Sequence, residues 1–145
     1  MKHLKIFTII GCLIFFSCNE TSQQEKEFDK IMQEVIYTHD EVMPKMTEMS
    51  TLINDLESKK DSTTVGQKFA RAQEDLKNAH DFMMAWMQDF SDKFPHQGTK
   101  LIDNTPEEIE KQLSMLKEEE KEVKEMRDAV NNSIKNAKEL LGKSE

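Results

Sequence analysis

The residues with most chemistry to offer are thioethers and imidazoles. Of the chain's 10 methionines all but Met1 lie beyond residue 30. Met43, Met46 and Met49 stand at three-residue spacing, which keeps them near one face of a helix, and Met83, Met84 and Met87 form a second group. If the chain turns back near residue 61, His39 comes level with Met83 and His80 with Val42. Met43, Met46, Met49, His39, His80 and Met83 then make a candidate metal set, and soft sulfur with imidazole suits Cu(I). The same residues have a plainer use, because methionine is a flexible filler of irregular cores. Met46, Met49 and Met83 also fall on apolar helix faces, and His39 there reads equally well as a packed core histidine. Phe82, Met84, Trp86 and Met87 form a second candidate, an apolar patch for a partner beside Pro44, unless a third helix covers it.

Catalytic constellations are missing from the sequence. There is no Gly-rich phosphate loop, no Gly-x-Ser-x-Gly elbow and no His-Glu-x-x-His pair. Di-iron helical bundles use Glu-x-x-His, but the residues three before His39, His80 and His96 are Ile36, Lys77 and Lys93. The many carboxylates read as solvated helix faces, and the expectation is a protein that is not an enzyme.

A different chemistry is written at the amino terminus. Lys2 and Lys5 precede an apolar run from Ile6 to Phe16, then small Ser17 and Cys18. The run is shorter than the about 20 residues that a bilayer span needs, and its order is that of a secretory signal. Phe15-Phe16-Ser17-Cys18 resembles the lipobox of bacterial lipoproteins, although Phe15 stands where lipoboxes usually carry Leu, Val or Ile. The resemblance implies diacylglycerol on the Cys18 thiol and cleavage just before it. Ile9-Ile10-Gly11-Cys12 fits the local pattern better, but cleavage there leaves an apolar segment below the usual ~7 to 15 residues. The expected division is a signal peptide over 1–17, a lipidated tether over 18–24 and a helical bundle domain over 25–145. The expected location is the cell envelope, held by lipid to a membrane, with the outer membrane favoured and periplasmic face or cell surface open.

Loss of Lys2 and Lys5 with the signal takes the formal charge from -8 to -10. That balance disfavours nucleic acid, whose phosphates call for a basic face, and anionic lipid head groups for the same reason. With Cys12 removed and Cys18 acylated, no thiol is left for a disulfide or a thiolate metal site. The partners expected are the membrane, through its lipid, and an envelope protein; the oligomeric state is open.

Only 4 glycines and 3 prolines occur, which favours long helices. The first is expected to start at the capping-box pattern Ser22-Gln23-Gln24-Glu25. Its apolar face follows Phe28, Ile31, Val35, His39, Val42, Met46, Met49, Ile53 and Leu56, with a kink between Asp40 and Pro44. The second carries a heptad seam of Val65, Phe69, Ala72, Leu76, Ala79, Met83, Trp86 and Phe90. The third opens on a capping box at Thr105, Pro106 and Glu108 and closes at Gly142. Its seam runs Ile109, Leu113, Leu116, Glu120, Val123, Arg127, Val130, Ile134, Ala137 and Leu141, with Glu120 and Arg127 reaching for water or for partners. Ser91 to Asn104 reads as a lid using Phe94, Leu101 and Ile102. The predicted fold class is all-α, an up-down-up three-helix bundle with coiled-coil-like seams. A long helical hairpin and a dimeric coiled coil remain as alternatives.

Joined to the amino-terminal anchor, His39-Asp40-Glu41-Val42-Met43-Pro44-Lys45-Met46 and Asp81-Phe82-Met83-Met84-Ala85-Trp86-Met87 resemble a group of small helical lipoproteins of Bacteroidota. Some of these carry the label viral A-type inclusion protein, which reflects coiled-coil similarity. The resemblance implies a source and a location rather than a reaction.

Overall fold

The computed structural model describes residues 15–95 and 105–143, with side chains from residue 23 onward. Among these residues every element is helical: α1 (Phe15–Val42), a 3-10 turn (Met43–Lys45), α2 (Met46–Glu57), α3 (Thr64–Lys93) and α4 (Pro106–Leu141). They make three rods, the first broken at Pro44. Residues 1–14, Cys12 among them, and Leu101 and Ile102 of the expected lid lie outside the described residues, as does the Cys18 side chain.

The first rod begins earlier than its capping signal. Ser22 lies inside α1 and the expected tether is helical, because between Gly11 and Pro44 there is no Gly or Pro to stop the helix. Pro44, which has no N–H to give, sits at the start of the 3-10 turn. A 3-10 residue turns about 120° rather than about 100°, so three of them rotate the next helix by roughly 60°. The consequence is visible in α2. Leu52 is buried in place of Ile53, and Met46 is only half-buried, while Met49 and Leu56 stay inside.

The second rod follows its seam from Ala72 through Leu76, Ala79, Met83 and Trp86 to Phe90, all buried. Val65 departs from it and is 59% exposed. It lies in the first turn, where Gly66 takes the inward place. The Thr63 hydroxyl accepts the Gly66 N–H at 3.0 Å, and Asp61 accepts both the N–H and the hydroxyl of Thr63. These bonds hold the Asp61 carboxyl below its usual range. A Cβ on Gly66 would collide with the Asp61 carboxylate and backbone nitrogen. Gly66→Ala is therefore expected to destabilise by about 1–2 kcal/mol, the clash outweighing the helix propensity gained; urea unfolding checks it, and a gain in stability would refute the packing described.

The third rod keeps its predicted caps: the Thr105 and Glu108 box is present, and Gly142 ends α4 with φ of 66°. Its seam slips. Glu119 and Met126 are buried where the heptad reading expects Glu120 and Arg127 to line up, and Ser133 joins Ile134. The seven-residue series Ile109, Leu116, Val123, Val130 and Ala137 stays inward, and only the position between its members changes, from four residues on at Leu113 to three residues on at Glu119 and Met126. Glu120 instead pairs with Lys124, and Arg127 with Asp128, both half-buried.

Phe94 covers one end of the core as expected of the lid, its ring 6.2 Å from Phe28 and 5.2 Å from Phe90. The aromatic row continues from Phe90 to Trp86 at 5.0 Å and from Trp86 to His39 at 5.7 Å. Ion pairs join Glu27 to Lys117, Glu34 to Lys124 and Glu48 to Lys138 between α1–α2 and α4, and Asp55 of α2 to Lys143 just past the end of α4. Gln73 on α3 is buried and donates to the Ile53 carbonyl at 2.8 Å and to Glu57 at 2.6 Å, while its own carbonyl accepts from Lys60.

Candidate functional site

The six thioether and imidazole candidates are placed in different surroundings. Met49 and Met83 are fully packed in the core, Met46 lies half-buried against it, and Met43 on the 3-10 turn is 52% exposed. His39 is half-buried against Trp86, with Nδ1 3.1 Å from its neighbour Asp40. Its Nε2 is buried and has no hydrogen-bond partner among the described residues. His80 makes only a 3.3 Å contact with adjacent Asp81. The turn at Pro44 separates Met43 from the face that carries Met49.

The four residues of the proposed apolar patch also part company. Trp86 belongs to the core, Phe82 and Met87 pack on the core's flank, and only Met84 is exposed. Helical periodicity explains the division, since Met83, Trp86 and Phe90 at gaps of three and four take the inward stripe and leave Met84 opposite. No single exposed patch is formed by the four.

Phe82 nevertheless lines a surface groove. A groove of about 450 Å³ runs between α3 and α4, with Asp75, Asn78, Ala79 and Phe82 on one wall and Ala129, Asn132, Ser133 and Asn136 on the other. Its walls follow from helix spacing: Asp75, Asn78 and Phe82 lie three and four apart on α3, as Ala129, Asn132 and Asn136 do on α4. The alanines leave the space and Phe82 supplies an aromatic face. Three amides at the rim each offer donors and acceptors, whereas the Ser133 hydroxyl is engaged, donating to the Val130 carbonyl at 3.0 Å. Such a surface can bind by shape and hydrogen bonding, and it holds no nucleophile and base in contact. Of these residues only Phe82 was a candidate site residue in the sequence, and Ala79 was placed on the seam. The signal that could have found the rest is the small Ala79 facing small Ala129 and Ser133.

The buried charge was also missed. Glu119 on α4 has no exposed surface, and Lys93 from the end of α3 donates to its Oε1 at 2.7 Å while also meeting Asp89 at 2.5 Å. Hydrogen bonds to Asp89 and then to Glu119 hold the Lys93 ammonium above its ordinary range despite partial desolvation. Lys124 is raised in the same way by Glu120 and Glu34, and Glu34 is lowered by Lys124.

Among the described residues no helix is long and apolar enough to cross a membrane. The chain matches no protein-family model, no curated protein and no solved structure.

Proposed function

We propose that this chain is a membrane-anchored lipoprotein of a bacterial cell envelope, exported by residues 1–17 and lipidated on Cys18, whose helical body is a binding module and not an enzyme. The groove between α3 and α4 is the observation that carries the binding part of this reading. Its partner is an envelope protein that fills the space above Ala79 and Ala129 and meets Phe82 and the rim amides. The formal charge of -8 on the whole chain sets nucleic acid aside as a partner.

An up-down-up order of the three rods is supported by the pairings. Contacts of α4 with α1 and α2 climb together, from Glu27–Lys117 to Asp55–Lys143. Those of α3 run the other way, from Gln73 at Ile53 to Phe94 at Phe28. The helical course of α1 through Cys18 sharpens the anchor. From Cys18 to Phe28, the first buried position among the described side chains, a helix rises about 15 Å. The body would stand off the membrane on a helical stalk rather than a loose tether.

A photoreactive residue at Asn132, in cells expressing the anchored protein, is expected to form adducts with an envelope protein that disappear in Phe82→Ser. An unchanged adduct pattern in that variant, with its helicity intact, would remove the groove as the docking surface. A second reading is favoured by one observation, the unpartnered buried Nε2 of His39. It is Cu(I) binding by His39, His80, Met43, Met46, Met49 and Met83. Competition against a Cu(I) chelator decides it, because binding unaffected by joint removal of Met43, Met46 and Met49 rejects those ligands.

A further inference from the structure

The geometry points to a divalent-cation site at the junction of α3 and α4, with Asp89, Glu119 and Glu122 as carboxylate ligands and Ca²⁺ as the ion of the class that fits. It stands independently of the groove. Each of the three residues brings one carboxylate oxygen within 4.8 Å of the others, a spread compatible with ligand distances of about 2.3–2.6 Å around one Ca²⁺. Glu119 and Glu122 are three apart on α4 and so share a face, and Asp89 approaches from α3.

Proximity of acids would not suffice, but Glu119 adds a separate fact. It is wholly buried, Lys93 takes its Oε1, and its Oε2 is buried without a hydrogen-bond partner among the described residues. A buried carboxylate oxygen left unpaired is costly, and native structures seldom tolerate it without an ion, a water or another donor. Lys93 also engages Oδ2 of Asp89. Lys93 thus accounts for Oδ2 of Asp89 and Oε1 of Glu119, and Oε2 of Glu119 has no donor among the described residues. With Glu122 included, three carboxylates face one ammonium, and the remaining two negative charges are what a divalent cation neutralises.

The donor set selects the ion. All the ligands are hard oxygens, which excludes Cu(I) here and favours Ca²⁺, Mg²⁺ or Mn²⁺. Asp89 is exposed and Glu122 half-buried, so water completes the shell on the open side. The ligands come from two helices with no rigid loop around them. Ca²⁺ accepts such irregular, partly hydrated geometry, whereas Mg²⁺ demands a near-octahedral shell and parts reluctantly with water. Three ligands on a preformed but open scaffold correspond to the weak class of site, with Kd about 0.1 to 1 mM.

The test titrates chelator-treated full-length protein with Ca²⁺, following heat and thermal unfolding, and with Tb³⁺, following lanthanide emission excited through Trp86, the only tryptophan. Trp86 lies one turn before Asp89. Saturable binding, a rise in Tm with Ca²⁺, and sensitised Tb³⁺ emission that added Ca²⁺ quenches are expected. Asp89→Asn combined with Glu122→Gln should weaken the affinity by about tenfold or more, since affinity follows the count of charged ligands. Both substitutions lie outside the core, so the variant keeps its fold. A Tm that moves no more with Ca²⁺ than with matched NaCl, or an equal response from the double variant, would overturn the site.

Discussion

Lys93→Met is expected to destabilise the protein by about 3 kcal/mol at neutral pH, because it leaves the Glu119 carboxylate buried without its counter-charge. Glu119 has no exposed surface, and Lys93 reaches it from the last turn of α3 at 2.7 Å. Orphaning a buried charge costs roughly 3–5 kcal/mol. The lower end applies, since Lys93 is 34% exposed and water can enter the place it leaves. The companion variant is more telling. Lys93→Met with Glu119→Met removes both charges and fills the space with flexible apolar side chains, so most of the lost stability should return. Urea unfolding of the two variants and the parent measures the coupling. If the double variant is as unstable as Lys93→Met alone, the loss comes from packing and not from a stranded charge.

Trp86→Ala is expected to cost about 3–5 kcal/mol, the range for truncating a buried aromatic to alanine. Trp86 is 4% exposed and stands in the middle of the row that links His39 to Phe90 and Phe94, stacked on Phe90 with an interplanar angle of 19°. Its removal opens a cavity and takes away aromatic contacts worth about 0.5–1.5 kcal/mol beyond area. Two controls separate these effects from general fragility. Trp86→Phe keeps a ring and deletes an indole N–H that has no partner among the described residues, so it should cost much less. Met84→Ala, two residues away but 48% exposed, should stay within about 0.5 kcal/mol. Unfolding is followed by helical circular dichroism, because the substitution removes the only tryptophan. A loss under about 1 kcal/mol for Trp86→Ala would contradict the burial described.

These two sites show what was legible in the sequence. Trp86 was readable because α3 has no proline and its apolar residues keep a regular three-four rhythm from Ala72 to Phe90. The caps at Thr105 and Gly142 were readable because their signals are local. Pro44 announced the break in the first rod, but not the register of α2, which depends on how far a 3-10 turn rotates the chain. Leu52 therefore took the place expected of Ile53. Glu119 was hidden for a different reason: it sits in a run of three glutamates, and the one that faces inward is marked only by Lys93, 26 positions earlier, which meets it across the helix pair. The groove was hidden because alanine and asparagine carry no distinctive pattern until two helices meet. For the proposed anchor the sequence offers the whole argument, and the helical course of α1 past Cys18 bears only on the tether expected over 18–24.

The most direct test of the anchored reading is metabolic labelling with palmitate during expression of the full chain in a bacterial host, for the parent, Cys18→Ala and Cys12→Ala. The account predicts label and membrane partition for the parent and Cys12→Ala, and neither processing nor label for Cys18→Ala. Lipid that persists in Cys18→Ala, or is lost in Cys12→Ala, would contradict it.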